Sequence, residues 1–186
     1  MQETQEMQEA LGIIKESRVI VINGAISNAM CSKVCLWLLR FEAMDAEKDI
    51  TIMLNSPGGC VQAGFMLIDT MSVLKCHVEV ICTGLAASMG ALILMAGTKG
   101  KRKMLPHARV MIHQPLGGAS LMQASDFEIT AREMARVKKE VYGFICSSTG
   151  KSYNQVQEDC DRNFWMDANE ALTYGIIDGI VTREVR

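Results

Sequence analysis

Short apolar runs of strand character return along this chain with helical patterns between them, and that alternation limits the fold more than any other feature of the sequence. Arg18 to Ile22 (RVIVI) is β-branched and ends at Asn23-Gly24, so it predicts a buried strand closed by a turn. From about Asn28 to Met44, Val34, Trp37, Leu38 and Phe41 fall at helical spacing, and DITIML then returns to a strand. A second cycle passes through the turn Asn55 to Gly59 (NSPGG), a helical run near Ala63 to Leu74 and the strand VEVICTG. An apolar helix then begins at Ser88, and a strand follows at ARVMIHQP. Two short helical patterns and a terminal strand, GIIDGIVT, finish the chain. Strands alternating with helices predict an α/β fold with a mainly parallel sheet, whose ligand site lies beyond the carboxyl ends of the strands. Asn55 to Gly59, Ser88 and His113 all stand at such ends or just past them.

No repeat, low-complexity tract or Pro/Ser-rich linker interrupts this order, and 186 residues suffice for one domain. From about Met122 to Ser148, Phe127, Ala131, Met134, Val137, Val141 and Ile145 recur at helical spacing. At 1.5 Å per residue such a helix reaches about 35 to 40 Å, more than a domain of this size needs, so it is expected to project toward another subunit. A hydrophobic share of 49% against 22% charged residues agrees with buried subunit contacts.

Charge and cysteine content exclude several classes of function. The formal net charge is -2, and beyond Lys99 to Lys103 no basic run offers a footprint for nucleic acid. The acidic start MQETQEMQEALG is unlike a secretory signal, and no apolar run approaches the roughly 20 residues of a membrane span. A cytoplasmic protein is therefore expected. Seven cysteines, odd in number and set mostly in apolar surroundings, read as reduced, buried thiols. Cys31 and Cys35 share a helical face without a second Cys/His pair, and His77, His107 and His113 lack carboxylates at ligand spacing, so no metal site is expected.

The segment GLAASMGALILMAG (Gly84 to Gly97) places a single hydroxyl between a strand and a greasy helix. Ser88 is either a helix N-cap or a nucleophile raised on a sharp turn. Ala86-Ala87-Ser88-Met89-Gly90 keeps the form of a nucleophile elbow, with alanine at the first glycine position. The Met89 amide is free of intrahelical partners because it opens a helix, and Gly58-Gly59 lets backbone approach a ligand closely, so two donors are available for an oxyanion. A plain turn is the alternative for NSPGG. His113 ends a strand where an apolar alternation does not ask for imidazole, and with Ser88 it forms a nucleophile and base pair, or else is structural.

Taken together, NSPGG, GLAASMG and LPHARVMIHQPLGG resemble the ClpP-type proteolytic subunits of the Clp protease. The similarity runs in order from about Ile14 to Thr182 and includes the ending ANEALTYGIIDGIV. The resemblance implies a Clp-protease/crotonase-like β-α superhelical repeat with a mainly parallel sheet and a protruding α/β handle. One peptidase domain would fill residues 1–186, with an N-terminal segment over about 1–13 and the handle over about 114–149. It implies a serine endopeptidase in which Ser88 is the nucleophile, His113 the general base, and the amides of Gly59 and Met89 the oxyanion hole. An unfolded polypeptide would lie as an added strand between Gly59-Cys60-Val61 and Leu116-Gly117-Gly118. Two stacked seven-membered rings would enclose the chamber. An AAA+ unfoldase would feed it and consume the ATP, with no cofactor in the chain itself.

Three departures from the family pattern qualify these expectations. The third triad position, aspartate in relatives, matches Asn163 in CDRNFWMD, and Asp161 or Asp167 serves instead only if the alignment slips. Asparagine orients an imidazole but does not stabilise its cation by charge, so a slow or partner-dependent peptidase is expected. The alternative is that asparagine caps a turn there, leaving a Ser-His dyad. Asp161-Arg162 match the pair that relatives use between rings, the plainer alternative being a surface ion pair of little worth. Thr51 and Met53 replace residues that are often aromatic at the unfoldase docking site, and the segment before Ile14 is short beside the usual axial loop. Both changes fit a paralogue that works beside a second ClpP-type subunit. The alternatives are a catalytically quiet member of a mixed ring, and an acyl-CoA hydratase or isomerase of the crotonase type, which employs carboxylates instead of a serine.

Overall fold

The computed structural model describes residues 17–117 and 123–182. The first cycle is β1 (Val19–Asn23), α1 (Asn28–Met44) and β2 (Ile50–Ser56), followed by α2 (Val61–Val73), β3 (Val78–Ala87) and α3 (Met89–Met95). Then come β4 (Arg102–Met104), β5 (Arg109–Ile112), α4 (Ala124–Thr149), α5 (Tyr153–Asp159), β6 (Phe164–Met166), α6 (Ala168–Tyr174) and β7 (Gly179–Ile180). The main sheet runs β1-β2-β3-β4-β7, all pairs parallel, as the alternation of elements predicts.

Two strands escape the sequence pattern. Three-residue β4 lies in the stretch read as a basic run, because its Arg102 is buried rather than solvated. The guanidinium grips the Asp178 carboxylate through Nε at 2.8 Å and Nη2 at 2.5 Å, and donates to the Ser148 carbonyl at 3.0 Å. Burial alone raises the Asp178 carboxyl, but these bonds outweigh it and hold the group below its ordinary value. The other strand, β6, pairs antiparallel with β5 and is too short for periodicity to register.

Long β3 divides its neighbours on one edge. Its first half, Val80 to Cys82, pairs with β4, and its second half, Leu85 to Ala87, pairs with β5. The polypeptide therefore climbs along β3 toward its carboxyl end, and the β5–β6 pair is attached there.

Alternate residues of β1 and β2 face a core in which Ile20, Ile22, Ile50, Ile52 and Leu54 meet Leu38 and Phe41 of α1 and Leu67, Ile68 and Met71 of α2. Each such side chain removed from water contributes about 1.5 to 3 kcal/mol. RVIVI reads as a fully buried strand, yet only one face is covered: Val21 is 53% exposed, and Met53 and Ile81 beside it in register are half-buried. Leu36, Leu39 and Met44 of α1 are likewise exposed.

Arg18, read as the start of a strand, acts as a helix terminator. Its guanidinium donates to the carbonyls of Phe41 at 2.7 Å, Asp45 at 3.0 Å, Lys48 at 2.8 Å and Asp49 at 3.1 Å. A cation there satisfies orphan carbonyls and complements the negative end of α1.

The stripe on the long helix divides in two. Val137, Val141 and Ile145 are buried, whereas Phe127 is 57% exposed and Ala131 is also exposed. At 26 residues α4 extends about 39 Å, and its buried side chains all lie in its second half.

Candidate active site

Ser88 is the one residue between β3 and α3, with φ 55° and ψ -123°. A non-glycine residue in such a conformation costs about 1 to 3 kcal/mol and persists only where its surroundings hold it. They do so here through the Ser88 amide, which donates to the Met111 carbonyl of β5 at 2.8 Å. Ser88 stands at the N-cap position of α3, but its side chain makes no helix-capping bond. Its Oγ instead lies 2.8 Å from His113 Nε2.

Glycine at position 58 lets the NSPGG turn press on this elbow. Gly58 has φ +94°, and a Cβ on it would stand 2.6 Å from Ser88 Cβ and 2.7 Å from the Ala87 carbonyl oxygen. Buried Ser56, which the sequence reading passed over, accepts from the Gly58 amide at 3.1 Å and ties the turn down. Its only signal was a hydroxyl next to the proline of that turn. Gly58→Ala is accordingly expected to destabilise the protein by about 1 to 3 kcal/mol and to cut peptide turnover at least tenfold. Thermal unfolding and a fluorogenic peptide assay read the two effects.

Two amides remain for an oxyanion. Among the described residues no acceptor takes the N–H of Gly59, and none takes that of Met89. Gly59 also packs its Cα against the Ile26 backbone, where a side chain has no room.

His113 follows β5 directly and is half-buried. Burial pushes its imidazole below the ordinary histidine value of 6.5, so the ring is neutral at pH 7 and ready to accept a proton. The β5–β6 ladder ends at the Ile112–Phe164 pair, so His113 and Asn163 each stand one residue beyond it. Asn163 is exposed and shares with His113, Gln114, Leu116, Asp161 and Arg162 an open groove of about 410 Å³. Among the described residues no hydrogen bond joins Asn163 to His113.

The carboxylates weighed as substitutes have other places. Asp167 caps α6, accepting from the Glu170 amide at 2.9 Å while Glu170 accepts from its own amide at 2.8 Å. Asp161 and Arg162 are exposed and approach each other only to 3.8 Å. Of the proposed substrate strands, Cys60 caps α2 and Val61 is already its first helical residue. Leu116 and Gly117 are exposed, and Gly118 lies outside the described residues, as does the N-terminal segment.

Among the described residues no group of three or more His, Cys, Asp or Glu side chains is placed to hold a metal ion. None of the described helices is long and apolar enough to cross a membrane. All seven cysteines are free, and burial pushes the thiols of Cys31 and Cys82 up to about 11 and that of Cys160 to about 12.

Comparison with known proteins agrees with this geometry. The Clp protease family profile matches residues 2–184. An ATP-dependent Clp protease proteolytic subunit of Porphyromonas gingivalis is 53% identical over 166 residues, covering 89% of this chain and 74% of the relative. One of the same name from Bacteroides fragilis is 48% identical over 167 residues, covering 90% of this chain and 80% of the relative. Kinship of that extent sets aside the acyl-CoA alternative. The chain is a serine peptidase and belongs to the Clp protease family.

Proposed function

We propose that Ser88, His113 and Asn163 form the catalytic set of a proteolytic subunit that degrades unfolded polypeptides delivered by an ATP-consuming unfoldase. The 2.8 Å approach of His113 Nε2 to Ser88 Oγ on a strained elbow carries this reading. Ser88 donates its proton to neutral His113 while Oγ attacks the peptide carbonyl. The developing oxyanion accepts from the Gly59 and Met89 amides. His113 then returns the proton to the departing amine, and water attacks the acyl-enzyme with His113 again as base.

Substrate lies extended between Gly59-Cys60-Val61, at the start of α2, and Leu116-Gly117-Gly118, held by main-chain bonds with little sequence preference. Residues 114–149 serve as the handle by which two seven-membered rings stack, with Asp161-Arg162 at the junction. The exposed Phe127 and Ile129 of α4 support this assignment. A second ClpP-type subunit completes the ring assembly. The relatives' names mark them as ATP-dependent, and here the nucleotide belongs to the partner. Seven unpaired thiols support a cytoplasmic location.

One observation favours a quieter role within a mixed ring: Asn163 accepts no hydrogen bond from His113, and asparagine brings no charge to the imidazolium. A fluorophosphonate probe tests the enzyme reading directly. Labelling is expected at Ser88, with a rate that falls as pH drops through the lowered His113 value, so the midpoint of the acid limb lies below 6.5. The sign follows from the protonated ring, which no longer accepts the serine proton. Labelling that misses Ser88 would sink the proposal.

A further inference from the structure

We propose that Gln114 is a positioning residue, clamping the Cys160–Asn163 loop against His113 so that Asn163 holds its place beside the imidazole. The inference rests on the triad reading above and adds the part that fixes its third member. Gln114 follows His113 directly. Its amide donates to the Cys160 carbonyl at 2.7 Å, beyond the end of the β5–β6 ladder and two residues out of its register. Its side-chain Nε2 donates to the Asp161 carbonyl at 3.0 Å, and its Oε1 accepts from Lys138 Nζ of α4 at 3.1 Å.

Only one orientation of the side-chain amide satisfies both neighbours. An ammonium group is a donor only and a backbone carbonyl an acceptor only, so Lys138 turns Oε1 toward itself and thereby aims Nε2 at the loop. Lys138 is held in turn, its ammonium 5.4 Å from the Tyr142 ring centroid. Among the described residues, no other side chain from outside the loop bonds Asp161, Arg162 or Asn163. Asn163 attracts no imidazolium by charge, so it orients the ring through geometry alone. A misplacement near 1 Å then costs up to about 10²-fold in rate.

Gln114→Glu separates the two bonds, since a carboxylate still accepts from Lys138 but has no proton for the Asp161 carbonyl. In the assembled particle, with a short fluorogenic peptide, Gln114→Glu and Gln114→Met are each expected to lower kcat about tenfold and to leave KM within about twofold. Lys138→Met, which releases Oε1 but leaves the Gln114 bond to the Asp161 carbonyl possible, is expected to give a smaller loss in kcat, with Lys138→Arg restoring it. Because Gln114 acts through Asn163, the double variant Gln114→Glu/Asn163→Ala turns over no more slowly than Asn163→Ala alone. Particle size and melting temperature of each variant separate misfolding from misplacement. A purely structural role predicts a lower melting temperature with kcat unchanged per intact particle, and that result overturns the clamp. Losses that multiply in the double variant overturn it too, while Asn163→Ala with full activity overturns the triad reading and the clamp together.

Discussion

Asn163→Asp is expected to raise kcat by about 10²-fold in the assembled particle and to move the acid limb of the pH profile upward. Exchanging aspartate for asparagine in a Ser-His-Asp enzyme lowers kcat by about 10⁴-fold, chiefly through the wrong imidazole tautomer. The reverse change here supplies an acceptor fixed as an acceptor, and a negative charge that favours the imidazolium formed during attack. The gain lies at the low end because Asn163 is exposed, and a solvated carboxylate acts on His113 through a high dielectric. The shift has a definite sign. Burial alone holds the His113 value below 6.5, and a neighbouring carboxylate raises it, so the enzyme loses activity at a higher pH than the parent does. Steady-state kinetics between about pH 5 and pH 8 read both effects. An unchanged kcat would show that the absent carboxylate does not limit this enzyme.

Ser88→Ala is expected to cost only about 10²-fold in the parent but about 10⁴-fold in the Asn163→Asp background. Triad members act as a unit: in subtilisin, removal of the serine costs about 2 × 10⁶ in kcat and removal of the aspartate alone about 3 × 10⁴. A subunit that already lacks the carboxylate therefore stands about 10²-fold above the floor left by the oxyanion donors and substrate binding. Both serine-free variants should fall to the same floor. Equal fold losses in the two backgrounds would mean that Ser88 and Asn163 work independently, and the shared-triad account would fail.

The site was only partly legible in the sequence, for reasons visible in particular residues. Ser88 stands out in the sequence because a hydroxyl interrupts an apolar segment at a strand-to-helix junction, and Gly58-Gly59 because paired glycines mark close backbone approach. Ser56 and Gln114 carry no such mark, since their roles lie in bonds to Gly58 and Asp161 that no periodicity reports. Strand β4 was hidden because the sequence shows Arg102 as a basic residue and not as the buried half of an ion pair with Asp178, far away in the chain. RVIVI overstated burial, for a β-branched run marks strand preference without saying how many faces of the sheet are covered.

Local order was determined by the sequence alone: the β-α alternation, α1 from Asn28 to Met44, the strand-to-helix junction at Ser88 and a strand leading to His113. These follow from side-chain periodicity and backbone sterics, which act over a few residues. Tertiary structure alone decided that β3 pairs with β5, which brings Ser88 within 2.8 Å of His113, and that β6 pairs antiparallel with β5, after which Asn163 and His113 line one groove. Those meetings join positions 25 and 50 residues apart along the chain (113 − 88 and 163 − 113), and strand pairing and core burial set them.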